Sequence, residues 1–182
     1  MNVTTHTAQA QGSRWLAHSP VRGFVLKAIL LMGAVQGVFL LWFIGSDAFT
    51  SYLELNAILA GKLLGALGES VWVSGTSIGS HQGKVDVLRG CDGSQVCAFH
   101  AISILAFPVA FHRRCVGALC GVALLFVLNI VRISSLYVLF AYFPEEWFTM
   151  AHGSLWPMAF ILASVVLWVL WARWAMTGLR RP

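Results

Sequence analysis

Apolar positions in this chain run in long blocks rather than alternating with polar ones. Residues 1–22 form a polar leader carrying Arg14 and Arg22, and an apolar span from Gly23 to Gly45 follows, with Lys27 near its start. Asp47 to Gly68 reads differently. There Asp47, Glu54, Asn56 and Lys62 interrupt Leu53, Ile58, Leu63 and Leu64, the spacing of an interfacial or half-buried helix. In residues 69–93 the alternation of Val71-Trp72-Val73, then Gly75-Thr76-Ser77-Ile78-Gly79, then Lys84-Val85-Asp86-Val87-Leu88 predicts a short β-hairpin that ends at Cys91. Three further apolar blocks give spans over Ser94–Phe111, Val116–Phe143 and Leu155–Trp174. His112-Arg113-Arg114 is predicted as a tight basic turn, and Pro144-Glu145-Glu146-Trp147 as an acidic one. Asp92 or Ser94 is placed to cap the helix that opens the second span.

Composition turns this pattern into a class. Of 182 residues, 58% are hydrophobic and 10% charged, against roughly 25% charged in soluble domains. The expectation is an all-α integral membrane protein with four main transmembrane helices, the interfacial or half-buried helix, and the short outer hairpin. Trp42, Trp147, Trp156, Trp171 and Trp174 fall near span ends, as an aromatic belt requires. The leader lacks an apolar core followed by small residues, so a cleaved signal peptide is not expected. Net charge is +5, but the basic residues do not cluster on a soluble face, which excludes nucleic acid as a partner. Their distribution sets orientation instead. With the N-terminus inside, Arg14, Arg22, Lys27, Arg113, Arg114, Arg173, Arg180 and Arg181 lie on the cytoplasmic side, and Cys91 faces the outer side.

The chemistry concentrates at three boundaries. Cys91 stands where a polar loop enters an apolar helix, at that helix's positive end, a setting that favours a thiolate. Arg132 lies inside the third span, about 18 Å from its outer end. An arginine at that depth costs a few kcal/mol and marks a functional site by default; the competing reading is a helix-locking pair with Glu54 or Asp92. Asn129 and Ser135, three residues to either side, are placed to help satisfy it. His152 is expected where the outer loop turns into the last span. A Cys–His pair supplies a nucleophile with its base or acid, and an arginine supplies fixed positive charge for an oxyanion. Gly93 leaves room for a substrate backbone. Asp92, beside the thiol, opposes thiolate formation unless it caps the helix or orients His152 or Arg132.

Other signals carry less. Gly75-Thr76-Ser77-Ile78-Gly79 fits the nucleophile-elbow pattern but lacks a strand-to-helix context, so it reads as a hairpin turn. His81, His100 and His112 share no ligand spacing and no HExxH is present, so neither a metal nor another cofactor is expected. Cys97 reads as a small apolar residue of a buried helix face, and Cys115 and Cys120 as reduced inner-side thiols.

The run Val-Leu-Arg-Gly-Cys91-Asp-Gly before an apolar span, then Leu-Asn-Ile-Val-Arg132-Ile, then His152 resembles the exosortase/archaeosortase family over roughly residues 70 to 175. The chain is similar to its compact members, such as the exosortase H type, although many members have Ser or Asn where this one has Asp92. The resemblance implies a transmembrane domain over 23–175, between the cytoplasmic leader 1–22 and a basic tail 176–182. It implies a bacterial inner-membrane cysteine protease/transpeptidase with Cys91 as nucleophile, Arg132 as stabiliser and His152 as acid/base. Its partners would be exported proteins bearing a C-terminal sorting signal (motif, transmembrane helix, basic cluster), the lipid bilayer, and an acceptor nucleophile of unknown identity. Two other classes compete. A four-span thiol oxidoreductase passing electrons to quinone would need outer-loop cysteine pairs where only Cys91 lies; a non-enzymatic scaffold would leave Arg132 without purpose.

Overall fold

A computed structural model of the chain describes residues 20–39 and 46–177. The leader to residue 19, Trp42 with the end of the first span, and the tail from residue 178 lie outside the described residues. Helix α1 covers Pro20–Val38 and leans on the helix that follows Cys91. Helix α2, Asp47–Ala66, starts at Ser46, whose hydroxyl accepts a hydrogen bond from the Phe49 amide. It is a 20-residue helix with Phe49, Asn56, Ala57, Ala60, Gly61 and Leu64 buried. These recur at helical spacing, so the polar interruptions do not keep one face of the segment from packing inward.

Between α2 and Cys91 lies a three-stranded antiparallel meander rather than a single hairpin: β1 (Trp72–Ser74), β2 (Ser77–Ser80) and β3 (Gly83–Asp86) in that order. Gly75-Thr76, inside the elbow-like motif, forms the first two-residue turn, and His81-Gln82 the second. Val73, Ile78 and Val85 are register partners on one face. That face meets Ala57, Ala60 and Leu64 of α2 and Ile130, Ile133 and Tyr137 of the long helix below, forming the main core. The expected hairpin thus has a third strand; β2, with its glycine and two serines, carries the weakest period-2 signal of the three.

Helix α3 runs from Ser94 only to Leu105, 12 residues, about 18 Å, where an 18-residue span was expected. Pro108 is the reason: it lacks an amide proton, and it pushes Phe107 out of the helical region. The chain recovers at once in α4, Phe111–Tyr142, 32 residues long. The expected basic turn at His112–Arg114 is therefore the first turn of α4, and the reversal lies at Ala106–Ala110. Arg113 donates to the Ala175 carbonyl at 2.6 Å and lies over the Trp174 ring. Arg114 donates to the carbonyls of Val109 and Leu105. The basic pair thus closes the C-terminal ends of α3 and the last helix by satisfying carbonyls that no helix partner can reach.

After a break at Phe143-Pro144 the chain is helical again from Glu145 to Thr177: α5 (Glu145–Met150), a π-helical turn (Ala151–Leu155) and α6 (Trp156–Thr177). Pro157 accounts for the wide turn. Having no N–H, it cannot donate to Gly153 four residues earlier, and the Trp156 amide donates to Ala151, five back. Phe111–Tyr142 and Glu145–Thr177 are long and apolar enough to cross a bilayer, and Val25–Val38 and Ser94–Leu105 are shorter apolar helices. Bulky side chains such as Leu119, Met158, Ile161 and Leu162 point outward, 65% or more exposed, as surfaces facing lipid do. Trp171 is not a belt residue: it is buried against Ile104, Val109, Ala172 and Ala175 and donates to the Arg113 carbonyl.

Candidate active site

The loop bearing Cys91 is built by two glycines and one aspartate. Gly90 and Gly93 both have positive φ, 90° and 71°, which L side chains rarely adopt. Between them the Asp92 carboxylate accepts from the Gly90 amide at 2.8 Å and from the Ser94 amide at 3.2 Å. Gly93, not Asp92 or Ser94, is the residue at the N-cap position, yet Asp92 satisfies the first helical amide from one position earlier. Among the described hydrogen bonds and ion pairs Asp92 meets neither His152 nor Arg132. Gly93 offers no space to a substrate: a Cβ there would lie 2.9 Å from the Asn129 side chain.

Asn129 and two residues that the sequence pattern hides form a buried polar chain beside this loop. The Tyr52 hydroxyl donates to the Asp92 carbonyl at 2.6 Å, and the Asn56 amide donates to the Tyr52 carbonyl at 2.8 Å. Asn129 donates to the Asn56 side-chain oxygen at 3.0 Å and packs on Gly93. Asn56, Asp92 and Asn129 are all essentially inaccessible. Helices α2 and α4 thereby grip the loop one residue beyond the cysteine.

Sequence reasoning assigned Asn129 and Ser135 to the guanidinium of Arg132. Neither serves it. Asn129 turns to Asn56, and Ser135 donates to the Arg132 carbonyl while accepting from the Trp156 indole. The guanidinium lies 5.6 Å over the Phe160 ring, its Nε has no hydrogen-bond partner, and the residue is 7% exposed. The helix-locking ion pair with Glu54 or Asp92 is absent among the described residues, where Lys84–Asp86 is the ion pair found.

His152 sits inside the π-helical turn, not in a loop. Its ring stacks on Phe148, four residues earlier, at 5.7 Å and nearly parallel. The sulfur of Cys91 lies 3.8 Å from Nδ1 and 3.9 Å from Nε2. Equidistance means that neither nitrogen is aimed at it, so a small ring rotation decides which one takes the proton. The charge of Arg132 acts on both groups. Burial pushes the Cys91 thiol above its ordinary pKa, Arg132 opposes this, and Asp92 adds to it. The helix end expected to favour a thiolate is already occupied by the Asp92 carboxylate, which accepts from the Ser94 amide.

Cys91 and His152 line a cavity of about 660 Å³. One wall is the run from Lys84 to Arg89; the other is Ile133, Leu136, Phe140, Phe143 and Phe148, with Glu145 at the rim. The site is a half-buried thiol beside an imidazole in a peptide-sized cavity; Arg132 acts on both through its charge but is not among the residues that line that cavity.

A family model for transmembrane exosortases matches residues 6–169. The chain belongs to the transmembrane exosortases. That match spans most of the protein, including all three of Cys91, Arg132 and His152. Exosortases are membrane-embedded, sorting-related enzymes of a cysteine protease/transpeptidase family that acts on exported proteins with C-terminal sorting signals. No curated protein and no solved structure matched the chain.

Proposed function

We propose that this exosortase cleaves the C-terminal sorting signal of exported proteins through an acyl-enzyme on Cys91, with His152 as acid/base and Arg132 as the oxyanion's counter-charge. One observation carries the reading: the Cys91 sulfur lies within 3.9 Å of both imidazole nitrogens on the wall of a peptide-sized cavity. The thiol passes its proton to His152 as its sulfur attacks the scissile carbonyl. The tetrahedral oxyanion draws on the charge of Arg132, which no carboxylate neutralises among the described residues. As the C–N bond breaks, His152 hands the proton to the departing amine. A thioester remains until an amine, hydroxyl or water attacks it and restores the thiol. The substrate's membrane helix docks between spans, in the orientation that puts the site on the periplasmic side with both termini in the cytoplasm, as the lysine and arginine distribution favours.

The test is the mass of the Cys91 adduct. Wild-type enzyme should carry the substrate's new C-terminus as a thioester, and Cys91→Ala and Arg132→Ala should leave the precursor intact. Normal processing by Cys91→Ala ends this reading. Serine at 97, 115 and 120 should be harmless; a redox relay would fail there.

A further inference from the structure

Strand β3 is an edge. Among the described residues it pairs with β2 on one side only, and it contributes to the wall of the Cys91 cavity. Three consecutive strand residues, Lys84, Val85 and Asp86, line the cavity together with Val87, Leu88 and Arg89 of the loop that follows, whereas a sheet face would supply alternate strand residues. The register gives the direction of each peptide group. Ser80↔Gly83 flank a two-residue turn, Ile78↔Val85 follow two positions on, and the Val87 amide donates to the Thr76 carbonyl at 2.9 Å. These are the hydrogen-bonded pairs of the ladder, so Lys84 and Asp86 form the other kind. Their amides and carbonyls point away from β2, toward the cavity. Their side chains are already engaged with each other, and Asp86 also accepts from Ser77. The main-chain groups of Lys84 and Asp86 are thus left unpaired by the sheet on this wall. The opposite wall is aliphatic and aromatic.

Resting on the reading of Cys91 as nucleophile, we propose that the substrate binds by adding a fourth strand to the sheet. The extended segment on the acyl side of the scissile bond would lie along β3 and parallel to it. The occupant follows from the two walls: a neutral amide backbone matches the free edge, and apolar side chains match Phe140, Phe143 and Phe148. The direction follows from the chain, since β3 runs toward Cys91 and the scissile carbonyl must lie at its sulfur. In a parallel pair a single residue bonds both neighbours. One substrate residue therefore donates to the Lys84 carbonyl and accepts from the Asp86 amide, while the residues before and after it turn their amides away.

The test uses the full chain in lipid nanodiscs and a defined probe, acetyl-Val-Ala-Val-Ala-chloromethyl ketone. The Cys91 sulfur displaces chloride to form a thioether, and the thiol proton is released. Iodoacetamide reports the reactivity of the same thiol without a peptide. Adducts are mapped to Cys91 by mass. The peptide should label Cys91 at least tenfold faster than its single-alanine analogue. N-methylation at one set of alternate amides should abolish that gain, and at the other set should leave it. Asp86→Pro should abolish it too, since an edge strand tolerates proline where its amide faces outward, whereas Asp86→Ala should retain it. Equal rates for long and short probes, or equal effects of both N-methyl sets, overturn the strand addition even if Asp86→Pro fails to fold. With iodoacetamide labelling intact, those results leave the nucleophile standing. Failure of every reagent at Cys91 overturns both.

Discussion

At the residue scale the site is a compromise between burial and charge. The Cys91 thiol is held above its ordinary pKa by burial first, and Arg132 works against that. Alkylation of Cys91 should therefore keep accelerating with pH beyond the point where a free cysteine levels off, because the thiolate fraction is still growing there. Arg132→Gln removes the one lowering influence, so the curve should move to higher pH. The rate at pH 8 should then fall about tenfold for every pH unit by which the midpoint rises. Iodoacetamide kinetics across pH check both. Gly93→Ala combines a forbidden φ with a 2.9 Å clash against Asn129 and should cost about 1–3 kcal/mol, read as a lower unfolding temperature in detergent. The cysteine, arginine and histidine were legible in the sequence because each is chemically conspicuous in an apolar setting. Tyr52 and Asn56 were not. A polar residue on an amphipathic helix reads as its wet face, and only the fold reveals that this face turns inward to hold a loop.

At the scale of elements, proline decides where helices stop and where they deform. Apolar periodicity found the long helix α4 within five residues at its inner end and one at its outer. It overran α3, because hydropathy continues through Phe107 and Val109 while the backbone cannot. It also began the last helix ten residues late, since the Pro-Glu-Glu turn reads as loop although two acids suit a helix's first turn. The π-helical turn was legible only in hindsight from Gly153 and Pro157. It aims His152. Deleting Ser154 should remove the extra residue of the wide turn and rotate the imidazole by about 100° around the axis relative to α6. The Cys91 thioester should then disappear while far-UV circular dichroism stays unchanged; retention of the thioester would show that the wide turn is incidental. The sheet was harder to read than the helices, because Ser77-Ile78-Gly79-Ser80 has one apolar residue and is held by register rather than propensity.

At the scale of the whole molecule, polar grip and apolar surface are segregated. One end carries the sheet, the braced cysteine loop and the cavity, and the other carries the Arg113–Arg114 clamp. The proposed orientation predicts that a membrane-impermeant maleimide labels Cys91 on intact cells and reaches Cys115 only after permeabilisation. Arg113→Ala gives up a charged hydrogen bond and a ring contact, and should lower stability by about 1–3 kcal/mol in mild detergent. The same clamp bears on motion. Arg113 holds the last turn of α6, whereas His152 sits at the far end of that helical run, 23 residues away, about 35 Å. A tilt of about 5° about the clamped end would carry the imidazole some 3 Å from the sulfur over such a lever. Widening the cavity to admit a chain and separating the proposed Cys91–His152 pair would then be a single movement, so on that reading the enzyme would be inert whenever it stands open and armed only once it has closed on its cargo.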